Sequence, residues 1–484
     1  MIKKNQGTGL PWYKNLFQIP FIGGLIRLPI YPYILQVGAL ICFILFIYFG
    51  WGQPTFEMNS AAELLYRRLN FTTFVVWGLW WTSMIWIAFF IGRAWCHVCP
   101  LELIMNIAER LGRRLGISQK LLPKLFRNGI LIVLGYLIVQ FAVASFHIHR
   151  APQGAAIFLL SLAAIAFIFG FFFKYRSFCS YACPVGMLLN CYSRNAPFEL
   201  RIIDQATCDK CATKDCRSLK TYHQWNGRGC PSLLNPPKLD SNKDCLLCMQ
   251  CVKACPYSNI RFGARKFFKD IVPGEKIGMA ILLFLIIMTG FLTYELTLNK
   301  EMKELFLATP HWAEHVFSVT NPHWKGFLKG LWTLILFPSV IWLTFASAFK
   351  LVSRQPFKFY FTTYAIAFIP LLVSAHLSKA LDKWNAWLKG IDLPFKDPLG
   401  VETFQTILVD KTLAEPGKIV ALSTLRWVPL FILLVGMIVT MIKITQANKL
   451  WSDSSLRTTN VSNFIPYVMA FLISLIFIYN VWRW

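Results

Sequence analysis

The sequence predicts a polytopic α-helical membrane protein interrupted by one soluble, cysteine-rich insert. Three observations predict it. Of 484 residues, 56% are hydrophobic and only 15% charged, against roughly 25% charged in soluble domains. About nine apolar runs are long enough to cross a bilayer as helices, which takes roughly 17–25 residues. Finally, 11 of the 14 cysteines fall between 176 and 272. The net charge of +26, from 49 basic and 23 acidic residues, would suit a nucleic-acid partner. Long uncharged apolar runs exclude that class.

The elements follow in order. Residues 1–32 are basic and aromatic with no apolar core, so they read as a surface-lying lead-in and not as a cleavable signal. Residues 33–175 hold four spans, at 33–51, 72–92, 129–147 and 154–173, with a first Cys…Cys-Pro motif. Residues 176–272 form the insert, with 15 basic and 7 acidic residues. Residues 273–484 hold five spans, at 277–294, 327–349, 359–378, 427–442 and 464–482. Two loops in that part, 295–326 and 379–426, are long enough to fold and dock a partner. The run 427–442 is short, and Arg426 and Lys443 reach opposite interfaces by snorkelling. The stretch 107–126 reads as an amphipathic interfacial helix with Arg110, Arg113 and Arg114 toward lipid headgroups.

Basic residues set the orientation, because Lys and Arg accumulate on the cytoplasmic side. Loop 93–128 carries Arg93, Arg110, Arg113, Arg114, Lys120, Lys124 and Arg127; loop 350–358 carries Lys350, Arg354 and Lys358; loop 443–463 carries Lys443, Lys449 and Arg457. Opposite them, 148–153 has Arg150, and 52–71 has Arg67 and Arg68. The N-terminus and insert are therefore expected in the cytoplasm and the C-terminus outside. Loop 379–426 runs against this trend with seven basic residues, accompanied by six acidic ones.

The chemistry lies in the cysteines. Cys245, Cys248, Cys251 and Cys255-Pro256 form the run C-x2-C-x2-C-x3-C-P of bacterial ferredoxins. In that run three thiolates wrap one [4Fe–4S] cubane and the fourth ligates another. Zinc is the rival, since C-x2-C is also a zinc knuckle, but four cysteines ending in Pro favour iron and sulfur. Upstream, Cys208-x2-Cys211-x4-Cys216 supplies three thiolates, and Cys230-Pro231 repeats the closing pair. The expected ligand sets are Cys208, Cys211, Cys216 and Cys255 for one cluster, and Cys245, Cys248, Cys251 and Cys230 for the other. The insert thus reads as a two-cluster ferredoxin domain.

Two further pairs follow spans two and four: Cys96-His97-Val98-Cys99-Pro100 and Cys179-Ser180-Tyr181-Ala182-Cys183-Pro184. Together Cys96, Cys99, Cys179 and Cys183 make four ligands, enough for a third [4Fe–4S] cluster; paired redox thiols are the alternative. Disulfides do not suit a reducing cytoplasm, and no C-x-x-C-H occurs for covalent haem. Cys42 reads as a packing residue within span one, Cys191 as a substitute ligand at most. His97 reads as supporting a ligand and not as one itself.

Paired Cys…Cys-Pro motifs at membrane ends plus a double ferredoxin resemble the NapH/NosR/CcoG group of membrane polyferredoxin-like proteins, over roughly 33–272. The motif at 179–184 has the family form C-x3-C-P; that at 96–100 is one residue shorter. The resemblance implies a multi-pass protein of the bacterial inner membrane. It implies passing electrons between the quinone pool and a flavin, haem or molybdenum partner, or reducing copper during oxidase assembly as CcoG-like members do. No flavin domain precedes the spans, as in NosR-like proteins, and no β-rich domain follows them, as in CcoG-like ones. Five spans follow the ferredoxin, which NapH-like proteins lack.

Six of eight histidines, His147, His149, His311, His315, His323 and His376, fall on the expected outer side. His147 and His149 end span three, and His376 with Lys379 ends span seven. Interfacial histidines commonly anchor or hydrogen-bond; the sharper readings are a quinol site, where His accepts a hydroxyl proton, or ligation of haem b or copper. Quinol is preferred, since a membrane electron carrier needs a lipophilic redox partner. A redox-gated transporter or sensor would want ionisable residues in mid-membrane, and the apolar runs hold almost none.

Overall fold

A computed structural model describes residues 13, 15–452 and 460–484; most of the basic N-terminal lead-in (1–12 and 14) and Arg457 lie outside the described residues. Among the described residues, eight helices are long and apolar enough to cross a membrane: Tyr33–Gly50, Phe71–Arg114, Pro152–Phe172, Met279–Leu296, Pro322–Ser353, Phe357–Gly390, Leu422–Leu450 and Val461–Trp482. A ninth apolar helix, Ile130–Phe146, has 17 residues, about 26 Å at the usual rise. All nine apolar runs are therefore helical, but the short one is the third and not the eighth. The eighth continues to Ser452, so Lys443 lies within the helix and not at its end.

The chain packs as two compact units. One comprises residues up to Ile44, Ile87–Arg127 and Leu160–Asp270; the other comprises Leu45–Trp86, Asn128–Leu159 and Ile271–Trp484. We call them the cysteine unit and the cavity unit.

In the cysteine unit, strands β1 (Phe198–Ile202) and β2 (Ile260–Ala264) pair antiparallel, with Phe198 opposite Ala264 and Ile202 opposite Ile260. Leu200, Ile260, Leu247 and Met249 pack there with Phe17, Ile26 and Tyr31 in one apolar cluster. The helix expected over 107–126 ends early. Helix Pro100–Arg114 stops at Leu115, and Gly116 follows at φ +75, a left-handed position that terminates helices and that side chains disfavour. Arg110 does not reach for headgroups either: its guanidinium stacks 3.7 Å above the Trp225 ring. Cys42 is exposed on Tyr33–Gly50, so it faces outward instead of packing inside the chain.

In the cavity unit the best-enveloped helix is Phe357–Gly390, with 89% of its apolar window buried, against 17% for Tyr33–Gly50. Its segments Phe357–Tyr364 and Ile369–Trp387 meet through a tight 3-10 turn, Ala365–Phe368. Pro370 lies at the start of the second segment, where its missing N–H breaks the α-helical ladder. Span seven does not end at 378: the helix runs on to Trp387. Its polar end survives because Lys379 is paired with Asp382 (3.1 Å) and Glu295 (3.6 Å). Expected loop 295–326 is largely helical, with Lys300–Phe306 and Ala308–Val316. Before Trp81–Ile91 the chain widens into a π-helical stretch, Phe74–Trp80. Gly78 is required within it, since a Cβ there would lie 2.2 Å from the Trp387 ring.

Candidate iron–sulfur centres and a basic cavity

In the cysteine unit Cys208, Cys211, Cys216 and Cys255 line one cavity, Cys251 neighbours Cys248, Cys230 and Cys245, and Cys99 neighbours Cys96, Cys179 and Cys183. Pairing Ile202 with Ile260 sets the chain leaving β1 beside the chain entering β2. Asn259 clasps the two: its Nδ2 donates to the Asp204 carbonyl (2.6 Å) and to Cys208 Sγ (3.2 Å), and its backbone N–H donates to Cys255 Sγ (3.3 Å). Cys208, Cys211, Cys216 and Cys255 all line one cavity of about 290 Å³. Burial pushes the Cys216 thiol up to about 11, with Cys255, Cys208 and Cys211 adding to the rise.

The second group winds around a loop in which Leu247 (φ 53) and Met249 (φ 60) are left-handed. Such alternation turns successive N–H groups to one side, making a nest for negative charge. The N–H groups of Leu247 and Gln250 donate to Cys245 and Cys248, and those of Leu234 and Ser232 to Cys230. Burial pushes Cys245 up to about 12 and Cys248 to about 11, with Cys230 close to both. Cys251, on the short helix Gln250–Ala254, neighbours Cys248, Cys230 and Cys245, and also Cys216 of the first group.

The membrane-end pairs form the third group. Cys96 lies on Trp95–Val98, Cys99 precedes Pro100–Arg114, and Cys179 lies on Ser177–Tyr181. Cys99 neighbours Cys179, Cys183 and Cys96. Burial pushes Cys179 up to about 12 and Cys183 to about 11, each with Cys96 nearby. Cys183 accepts from the N–H groups of Val185 and Gly186. Cys191 is fully buried on Gly186–Tyr192.

Among the described residues, no three Cys, His, Asp or Glu side chains converge closely enough to hold a single metal ion.

A buried carboxylate stands between two of these groups. Glu102 Oε1 lies 3.0 Å from Arg228 Nη2 and 3.5 Å from Arg176 Nε, and Glu102 Oε2 accepts from Gln36 Nε2 at 2.6 Å. Arg176 lies beside Cys179 and Cys96, and Arg228 beside Cys248. Both arginines also lie near Cys230 and Cys248, so the pair that shares one acid bridges two thiol groups. His97 spans the same gap: Nδ1 lies 3.1 Å from the Leu246 carbonyl, between Cys245 and Cys248, and Nε2 lies 3.0 Å from Tyr31 Oη. Sequence reading missed Glu102, Arg176 and Arg228 in this role. Glu102 sits within an apolar run, the one signal that could have found it.

The cavity unit encloses a space of about 490 Å³ lined by His147, His149, His376 and Lys379 together. Seven bases and two acids line it. Arg150 is matched by Glu63, with Nη1 3.1 Å from Oε2, and Lys379 by Asp382 and Glu295. Four other bases rest on aromatic faces. Arg67 and Lys383 lie 5.8 and 5.6 Å from the Trp387 ring centre, and Lys303 and Lys329 lie 4.6 and 5.0 Å from that of Tyr294. Burial, together with Arg150 and Arg68, pulls Arg67 down to about 10. None of these aromatic-bound bases was singled out from sequence as a site residue. They flank apolar runs, where Lys and Arg ordinarily read as headgroup anchors.

Comparison with known proteins fits this picture. A family model for a 4Fe-4S binding domain matches residues 73–118 and 155–201, the segments carrying Cys96, Cys99, Cys179 and Cys183. The fold and site thus define a membrane protein with an iron–sulfur binding domain. The ferredoxin-type protein NapH of Haemophilus influenzae is 26% identical over 179 residues, 35% of this chain and 61% of that protein. YccM of Escherichia coli, named as an electron transport protein, is 24% identical over 245 residues, 45% of this chain and 64% of that one. An uncharacterized protein of Methanocaldococcus jannaschii is 26% identical over 181 residues, 37% of this chain and 67% of that one. No solved structure matches. These similarities support a NapH-like polyferredoxin family, as the motifs suggested, and the chain spans 61% of NapH and 64% of YccM.

Proposed function

We propose that this chain is a membrane-bound iron–sulfur electron-transfer subunit that links the quinone pool to a redox partner in a respiratory complex. Cys208, Cys211, Cys216 and Cys255 hold one [4Fe–4S] cluster, Cys230, Cys245, Cys248 and Cys251 a second, and Cys96, Cys99, Cys179 and Cys183 a third. Bound clusters supply one-electron transfer; the protein ligates them, donates N–H groups to their sulfurs and sets positive charge beside them. The observation that carries the reading is the meeting of two cysteine pairs, 80 residues apart, beside a double ferredoxin set.

The quinone exchanges electrons in the cavity that gathers His147, His149, His376 and Lys379. Its volume and its walls of Trp77, Trp81 and Phe291 suit a planar ring. Haem ligation is disfavoured at His149, whose Nε2 already accepts from Arg150 Nε at 3.2 Å. Copper reduction is disfavoured by the seven bases, which repel a metal cation. The N-terminus and insert are assigned to the cytoplasmic side of a bacterial inner membrane, with the basic loops, and nine spans would carry the C-terminus outside. Flavin, haem or molybdenum proteins are the expected partners.

The test is iron and sulfide content with EPR after anaerobic purification. Three cubanes give about twelve irons per chain, whereas about eight would leave the membrane-end pairs as thiols. Anaerobic quinol should then reduce the clusters. Oxidised clusters in the presence of quinol, with ready reduction of Cu(II), would overturn the reading in favour of a copper-reducing role.

A further inference from the structure

Resting on the quinone reading above, we infer that the cavity works on the ionised form of the quinol. His147, backed by Glu63, accepts the hydroxyl proton, and Arg67 and Lys383 hold the phenolate left behind.

The charge pattern points to an anion. Cations drawn out of water are costly unless paired, yet half-buried Arg67 and Lys383 have Glu295 only as a more distant charge and, among the described residues, no carboxylate within ion-pair distance. Both lie near one indole, that of Trp387, and Arg67 Nε has no hydrogen-bond partner. Indole faces attract a cation without neutralising it, so the positive potential stays directed at whatever enters. These groups are placed for a ligand that brings its own negative charge.

The two adjacent histidines are set up differently from each other. His147 Nδ1 lies 3.0 Å from Glu63 Oε1, within a buried pair. Glu63 also accepts the Asn59 N–H at 2.7 Å and Arg150 Nη1 at 3.1 Å. These bonds hold its carboxyl below the usual range despite burial. An ionised Glu63 accepts only, so the ring proton of neutral His147 resides on Nδ1 and the lone pair on Nε2. His149 is the reverse. Its Nε2 accepts from Arg150, its Nδ1 has no partner, and burial with Arg150, Lys383 and Arg67 keeps the ring neutral. It therefore offers an N–H to a ligand oxygen. One cavity wall thus carries a base and a donor.

The step is a proton transfer. The quinol O–H bond breaks, an N–H bond forms at His147 Nε2, and a quinol monoanion and an imidazolium result, with no electron moved. Glu63 balances the imidazolium; Arg67 and Lys383 balance the anion. The monoanion gives up an electron more readily than the neutral quinol. Glu63 acts through His147 and is a positioning residue.

The test compares binding of two probes to the full-length protein in detergent: a hydroxynaphthoquinone ionised at neutral pH, and its neutral methyl ether. The acidic probe should bind at least about tenfold more tightly. Lys383→Gln or Arg67→Gln should abolish that preference while leaving affinity for the ether, which also reports that the cavity is intact. His147→Gln and Glu63→Gln should slow quinol oxidation at least about tenfold without loss of ether binding, and Glu63→Asp should restore most of the rate. Equal affinity for the two probes, or an unchanged rate in His147→Gln, overturns the inference and leaves the quinone reading standing. If neither probe binds, the quinone reading itself fails, and this inference with it.

Discussion

The two units treat buried charge in opposite ways. In the cysteine unit three buried acids are enclosed by bases of the same unit: Glu102 by Arg176 and Arg228, Glu199 by Arg201, Arg261 and Lys269, Asp270 by Arg265 at 2.6 Å. In the cavity unit Arg67 and Lys383 rest on an indole, and Lys303 and Lys329 on a phenol ring. Paired charge fixes a geometry. Unpaired charge is held in reserve for a ligand, at some cost to stability. One unit is built to keep groups of thiols in register, and the other to change what it holds.

That contrast can be broken experimentally, and the largest effect belongs to the thiols. Cys179→Ser should remove about four of roughly twelve irons per chain and one EPR-active centre, while Cys42→Ser removes none. Iron and sulfide analysis reads both outcomes. Equal iron content in the two variants would dissolve the third set.

Next comes the asymmetry in charge. Glu102→Gln leaves two buried guanidinium groups sharing a neutral amide, and the cysteine unit should lose about 3–5 kcal/mol. Lys383→Met removes a half-buried cation that has no carboxylate within ion-pair distance, and thermal unfolding should show an unchanged or higher Tm. If both variants fall equally, Lys383 has a partner after all and the two units do not differ.

A smaller effect is expected at the clasp. Asn259→Ala removes the Nδ2 bond to Cys208 Sγ. N–H bonds to cluster sulfurs favour the reduced, more negative state, so the first cluster's potential should fall by about 20–60 mV in an EPR-monitored redox titration. Smallest of all is Lys396→Gln, which breaks only the exposed pair with Asp392. It should leave Tm, iron content and probe binding unchanged, as surface pairs do.

Much of this molecule was legible in the sequence because its strongest signals are local. An apolar run of 20 residues forms a helix wherever it sits, and C-x2-C-x2-C carries its own turn. Among the described residues the eight long apolar helices and the shorter Ile130–Phe146 follow from such patterns. Helix ends were less legible. Lys379, Asp382 and Lys383 read as the end of a span, but the helix continues through them because Glu295, from another helix, pairs with Lys379. Arg110 read as a headgroup anchor until Trp225, far along the chain, proved to lie under it. The cavity was the least legible, since its bases come from segments scattered along the chain from Arg67 to Lys418. No periodicity links Arg67 to Lys383; only packing around Trp387 does.

The order in which the ligands occur along the chain has a consequence for biogenesis. The set proposed for Cys96, Cys99, Cys179 and Cys183 is complete once residue 183 has been synthesised, whereas the set proposed around Asn259 waits for Cys255. At ribosomal speeds of about 5–20 residues per second, that interval is roughly 4–14 s. During it, the helix-end set is available for iron delivery while the β1 strand still lacks its partner. Maturation would therefore run from the helix ends outward, and a chain stalled between the two points would carry a centre in its spans with no ferredoxin to receive or supply its electrons.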